Sequence, residues 1–348
     1  SEYDRRERPK CEGGGPTVVE VQLRLMQVNR MDQKLGLISF AGYFRMWWMD
    51  PRLRYPGPAE GGCLNSVLLQ TEDIVSLWTP DVYIDNLEST PEFTPSALAE
   101  ITPDGAVWYS KEVRATVKSD FKLGKLPHDT HRGIIILASY SMNISRLRLV
   151  PRGGTIGAGV SGVGISAAHL TSNSWDFTDD TDGKGFETPG HVEIDADWDY
   201  LTLSFPFARR ARFFIVEVVF PSVIFLLISY IQFFVNPEAA PARAALATIP
   251  VLIMRTLSNS VYNILPEGAQ QMWLADLLTS FTVVCALGAV EFGVVQYWLM
   301  IEKRRQAMHG GLKKAEAATR RLIEQAAKEN LKLSELLERC KAKASGRR

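Results

Sequence analysis

The sequence predicts a β-sandwich followed by membrane-spanning helices and a charged helical tail. Apolar and polar residues alternate in short runs from Thr17 to Phe207, with Val19, Val21, Leu23 and Leu25 on one face. Two runs, Phe213–Val235 and Met272–Ile301, each hold about 20 or more mostly apolar residues, enough to cross a hydrocarbon core. After Ile301 the chain turns helix-forming and rich in Lys and Arg. The 46% hydrophobic content of the 348 residues is therefore divided among parts built for different solvents.

Residues 1–16 form an N-terminal segment and residues 17–210 the sandwich, immunoglobulin-like with about ten strands, because turn clusters such as Thr102–Gly105 and Pro151–Gly154 recur between the apolar runs. Gly153–Gly164 contains a literal dinucleotide-type glycine pattern, but no helical apolar period follows it, so it is expected to be a flexible loop. The four cysteines have no metal-ligand spacing, and Cys285 sits in an apolar run where packing is its expected role. Cys11 and Cys63 are the one pair placed for an extracellular disulfide, and Asn143-Ile144-Ser145 is a glycosylation sequon. No signal peptide precedes the sandwich, so an extracellular location implies a targeting segment that was removed or lies outside this sequence.

Residues 211–301 read as the membrane domain, with spans at 213–235, 243–263 and 272–301. The middle span is unusual, since Pro241–Ser260 carries two arginines, two prolines and a polar end. Ala245, Ile249, Leu252, Thr256, Asn259 and Asn263 are spaced alternately four and three apart and share one helical face, with Pro241 one turn before them at the pore entrance. That face suits a water-filled pore, with Ile249 and Leu252 as an apolar constriction that closes by dewetting. An internal helix of a monomeric bundle is the competing reading. Arg243, with Ala242 before it, would ring the cytoplasmic mouth with positive charge and helix N-termini, and Pro241-Ala242 offers no carboxylate to a cation. Pro250 is expected to kink the helix, and the mid-membrane Arg255 to point to water or a subunit interface. Residues 302–348 form a basic amphipathic helix: Leu312, Ala315, Thr319, Leu322, Ala326, Leu333, Leu336 and Cys340 keep near a seven-residue period that Glu329 breaks. The basic Glu302–Arg305 run favours a cytoplasmic tail, although Ala208–Arg212 before the first span pulls the other way.

These residues resemble the pentameric ligand-gated ion channels, the Cys-loop receptor superfamily, and look most like the glycine- and GABA-receptor branch. The likeness spans about Val18 to Ile301 and rests on the order of "WMDPRLRY", "LWTPDVY", "PDGAVWYS", the "PAR" that opens the middle span, Leu265-Pro266 and "VEFGVVQYWL". The hallmark loop keeps its core as Leu126-Pro127-His128-Asp129, but Ser119 and Gly133 stand at the cysteine positions. Its shape is then expected to rest on packing of Phe121 and Leu126 and on hydrogen bonds. His128 and His131 read as surface residues.

The resemblance implies a ligand site between subunits: Tyr83, Tyr140 and Trp198 from one, Tyr43 and Arg45 from its neighbour, with Phe44 turned inward. Aromatic faces would hold a cation and Arg45 a carboxylate. Ala138 replaces the acid that amino-acid-gated relatives direct at the ligand amine, and Asp85 is the nearest substitute. For coupling, the resemblance implies that Asp129 meets Arg209 and that the Pro127 turn rests on the linker containing Pro266. Family members have a fourth span, and none follows Ile301 in this sequence.

The expected function is an anion-selective, agonist-gated homopentamer in the plasma membrane, with a small-molecule agonist, permeant anions and the lipid bilayer as partners. No cofactor and no nucleic-acid partner are expected. A proton-gated or cation-conducting relative and a non-conducting membrane-tethered binding or scaffold protein are the alternatives. No zinc motif, nucleophile elbow or phosphate loop in proper context supports an enzyme.

Overall fold

The computed structural model describes residues 3–10, 14–156, 159–167, 170, 172, 174–177, 186–263 and 272–345. It divides into two units, Ser1–Ser222 with Thr256–Thr279, and Val223–Arg255 with Ser280–Arg348.

The described residues of the first unit hold twelve strands: β1 Thr17–Asp32, β2 Leu37–Met49, β3 Val67–Gln70, β4 Val82–Ile84, β5 Glu92–Ile101, β6 Ala106–Lys118, β7 Thr130–Ser139, β8 Leu147–Pro151, β9 Val160–Ala167, β10 Trp175–Asp176, β11 Phe186–Asp195 and β12 Trp198–Arg209. A short helix, α1 (Thr71–Ile74), follows β3. The strands run in the order β3-β5-β6-β2-β1-β9-β11-β12-β7-β4, with β8 beside β1 and β10 beside β12. So long a twisted ribbon must curl on itself. It does, because one buried cluster takes Leu23, Phe40 and Val117 from one arm and Leu137, Leu203 and Phe205 from the other. Asn86 staples the arms. Its amide N–H groups donate to the carbonyls of Lys118 (2.8 Å) and Ile134 (2.9 Å), and its Oδ1 accepts from the Ile136 N–H.

Inward residues are those the alternation predicts, as β2 shows by burying every second side chain from Ile38 to Trp48. Each such Leu or Phe removed from water contributes about 1.5–3 kcal/mol. The glycine-rich run departs from expectation, for its second half is β9 rather than loop. Gly162 has φ +58°, and a Cβ at Gly164 would lie 2.9 Å from the Gly190 backbone, so the glycines admit close strand approach.

The hallmark loop also explains its missing cysteines. A Cβ at Gly133 would lie 2.4 Å from the Phe205 ring, leaving no space for a disulfide. The Ser119 hydroxyl instead donates to the Arg132 carbonyl at 3.2 Å. Phe121 packs on His131 and Phe207. Leu123 and Leu126 join a second core with Phe214, Val218, Val261, Met272 and Leu278, so the loop, the start of the first span and the residues flanking 264–271 share one apolar contact.

Among the described residues, three helices are long and apolar enough to cross a membrane. The first, Arg212–Phe234, comprises α2 (Arg212–Phe214), a π-turn at Ile215–Val219, and α3 (Phe220–Ile231) ending in a 3-10 turn. The second is α4 (Ala240–Tyr262), assigned as one helix through Pro250. The third, α5 (Trp273–Ser345), runs on without a break into the tail, so residue 301 is no helix boundary. Leu312, Leu322, Leu333 and Leu336 on the tail are all at least 60% exposed.

Candidate functional site

Three strands assemble the first half of the expected ligand box. Tyr83 on β4 pairs with Ala138 on β7, and the β7–β12 register, continued one step past Leu137–Leu201, brings Tyr200 to the other side of Ala138. Ala138 is only 2% exposed, so its methyl forms the floor between two tyrosines. Tyr140 stands over this row, 6.1 Å from Tyr83 edge to face and 81% exposed. Asp81 puts it there, accepting from the Ser139 hydroxyl and the Ser141 N–H, both at 2.6 Å. The Tyr83 hydroxyl donates to Asp85 at 2.9 Å. Burial first, then the Asp85 carboxylate, pushes the Tyr83 phenol up to about 12, so it stays neutral and Asp85 is already engaged.

Trp198 opens β12 directly after Ala196 and Asp197, whose φ values of +46° and +68° close a two-residue hairpin. Asp199 turns inward and accepts from Arg148 Nε (2.7 Å) and the Leu149 N–H (2.9 Å), which fixes Trp198 and Tyr200 on the outer face. Sequence reasoning missed Tyr200 and Asp81. The signal for Tyr200 was its place two residues beyond Trp198, on the same face of a strand.

The second half lies on the other arm. Tyr43 and Arg45 point outward from β2 and Phe44 inward, as alternation requires. The Arg45 guanidinium lies 5.8 Å from the Tyr43 ring centre and 6.0 Å from that of Trp108 on β6. Its buried Nε has no hydrogen-bond partner among the described residues. Burial, then the nearby Arg24, lowers the Arg45 pKa. Tyr83, Tyr140 and Tyr200 are thus brought together, and so are Tyr43 and Arg45, but the two groups sit on different arms.

At the foot of the sandwich, Asp129 and Arg209 form a buried two-pronged pair, Nε to Oδ1 at 2.7 Å and Nη2 to Oδ2 at 2.8 Å. Gln33 takes a further bond from Nη2 at 2.8 Å, and the Arg209 guanidinium lies 4.4 Å from the centre of the Trp175 ring. His131 corrects the surface reading. It is 5% exposed, its Nδ1 accepts from the Lys122 N–H, and its Nε2 bonds Asp129. Burial pushes the Asp129 carboxyl up, but hydrogen bonds from His131 and Arg209 outweigh it and hold the value at about 2. Pro127 is buried and His128 exposed, whereas Pro266 and Cys11 lie outside the described residues. Cys63 is an exposed free thiol. Asn143 is half-buried in a turn, with Oδ1 accepting from the Ser145 hydroxyl at 2.6 Å.

On α4, Pro241, Ala245, Ile249, Leu252, Thr256 and Asn259 are all exposed, as is Asn263 just past the helix. Arg243, Ala247, Pro250, Met254, Ser258 and Val261 form the buried stripe opposite. Arg243 therefore corrects the expected charged ring. It is 3% exposed, donates to the Gln232 carbonyl at 3.2 Å, and reaches Glu291 of α5 at 3.3 Å. Its charge is compensated inside the chain because a guanidinium buried without a carboxylate is too costly. Glu291 was legible as an acid deep in an apolar span, well past Asp276 in its first turn. Ala242 is exposed, as is Arg255.

Residues 1–211 match the family described as neurotransmitter-gated ion-channel ligand binding domain, and residues 218–344 that described as neurotransmitter-gated ion-channel transmembrane region. Among curated proteins, the chain is 24% identical over 310 residues to gamma-aminobutyric acid receptor subunit alpha-4 of Rattus norvegicus, covering 87% of this chain and 53% of that protein. It is 23% identical to subunit alpha-6 of Gallus gallus, covering 87% of this chain and 63% of that protein. The chain thus spans between half and two-thirds of the length of these relatives. With a twelve-stranded domain ahead of three apolar helices, and with both parts matched in order, the chain belongs to the neurotransmitter-gated ion-channel family, an extracellular ligand-binding domain followed by plasma-membrane-spanning helices.

Proposed function

We propose that this chain is a subunit of a homopentameric channel that a small anionic or zwitterionic ligand opens by binding between subunits, and that it conducts anions. One observation carries the reading. Two incomplete, outward-facing half-sites, an aromatic one at Tyr83, Tyr140 and Tyr200, with Trp198 two residues before Tyr200 on the same strand face, and a cationic one at Tyr43 and Arg45, lie on different arms, so a neighbouring copy would complete each. Arg45 would take the ligand carboxylate and the aromatic faces its cation. The exposed Pro241–Asn263 face of α4 would line the pore, with Ile249 and Leu252 as its gate. Asp129 and Arg209 would hold the loop whose Leu126 packs near both ends of the linker, passing ligand closure to α4 as a shift between two packed arrangements.

Whole-cell current under chloride substitution tests the ion preference: the reversal potential should follow chloride, and one that follows sodium rejects it. Cation passage is the second reading, favoured by the internal neutralisation of Arg243. For the ligand site, Arg45→Gln removes a charge-assisted pair and should raise the half-maximal ligand concentration about 10–100-fold, at about 1.5–3 kcal/mol. Tyr200→Ala should weaken binding about 3–10-fold, the range of one cation–π contact at about 0.5–1.5 kcal/mol. Dose–response curves check both. An unchanged Arg45→Gln curve would mean that the ligand carries no carboxylate.

A further inference from the structure

We propose that the cleft at the foot of the sandwich binds a zwitterionic, primary-amine phospholipid headgroup in the outer leaflet. The cleft is about 800 Å³, and its wall includes Trp175, Arg209, Arg210, Arg212, Phe213 and Glu217. That volume suits a small-molecule site of about 300–1,000 Å³. Its wall takes in the opening turn of the first span, where Phe213 is 62% and Val216 50% exposed, an apolar side suited to acyl chains. Trp175 closes the cleft from the core side, only 6% exposed beneath the Arg209 guanidinium.

The charges choose the headgroup. Arg209 is committed to Asp129 and Gln33, and Arg210 pairs with Asp176 at 2.6 Å. Arg212 and Glu217 are exposed wall residues that have no ion-pair partner among the described residues. They stand five apart across the π-turn Ile215–Val219, whose bonds also span five residues. One free cation and one free anion beside an apolar wall match a phosphate joined to an ammonium. The phosphate goes to Arg212 with Arg210 behind it, and the ammonium to Glu217. A purely anionic headgroup would meet the Glu217 carboxylate instead. This occupant also accounts for a basic run placed on the extracellular side against the positive-inside tendency. The proposal is independent of which ion the channel passes.

The test is native mass spectrometry of the full chain taken from nanodiscs of equal phosphatidylethanolamine and phosphatidylglycerol. Wild type should retain phosphatidylethanolamine. Arg212→Gln should lower that retention about tenfold, as loss of a charge-assisted phosphate contact does. Glu217→Gln should reverse the preference toward phosphatidylglycerol, and Arg320→Gln on the tail should change nothing. Because Glu217→Gln predicts a switch rather than a loss, misfolding cannot imitate it. Unchanged lipid retention in both variants would overturn the proposal, whether or not Arg212→Gln also breaks the oligomer, which would mark the cleft as filled by a neighbouring subunit. Displacement of the lipid by soluble phosphoethanolamine at equal concentration would overturn it too, since the acyl-chain wall would then contribute nothing.

Discussion

Arg209→Gln is expected to destabilise the folded chain by about 3–5 kcal/mol, the cost of stranding one partner of a buried ion pair. The stranded partner is Asp129, whose side chain is fully buried and which would keep only His131. Asp129→Asn should also be harmful, but the double variant should recover part of the loss, because two neutral amides leave no bare charge. Thermal unfolding of the four proteins in one detergent checks the cycle, and additive losses would mean that the contact is energetically idle. Dose–response curves for the same set test coupling: agonist sensitivity unchanged throughout would remove the pair from the gating pathway.

Acid provides an independent check on Asp129. Its carboxyl sits at about 2 in the folded chain against an ordinary 3.8, so the folded state favours the ionised form. That contribution, about 2–3 kcal/mol, is complete above the ordinary value and is lost as pH falls from 3.8 through 2. Asp129→Asn should therefore flatten the acid limb of stability between those values. An acid limb as steep as that of wild type would assign it to other carboxylates.

The two halves of the ligand site were legible to different degrees for a physical reason. Strand geometry has a period of two, so Tyr43 and Arg45 outward with Phe44 inward could be read from one strand alone. The exposed face of α4 was legible in the same way, because a helix sorts its faces by spacing. What sequence could not supply were partners from elsewhere in the chain. Arg243 reads as a pore charge from its own segment, and Glu291, 48 residues away, neutralises it. His131 looked like a surface residue because its burial depends on Phe121, Trp175 and Phe207, which three other segments supply. Gly133 fits a family cysteine position, yet Phe205 across the β7–β12 pair decides that no side chain fits there.

Ala242→Glu should weaken or reverse anion preference, and the corrected position of Arg243 makes this test sharper. Ala242 is exposed, three residues before Ala245 and seven before Ile249, on the same open face. In a ring of identical subunits the new carboxylates would crowd the narrow mouth, where their field opposes anions and attracts cations. Under a tenfold chloride gradient, the wild-type reversal potential should move by about 59 mV per decade, and the variant's should shrink toward zero or change sign. Arg243→Gln should behave differently. If Arg243 spends its charge on Glu291, removing it should lower expression or stability while leaving the reversal potential of surviving channels unchanged. A lost chloride preference in Arg243→Gln would show instead that the arginine leaves Glu291 to face the pore. If both variants kept wild-type selectivity, the mouth of α4 would not be the filter, and exposed Arg255, higher on the same helix, would be the remaining positive charge to test.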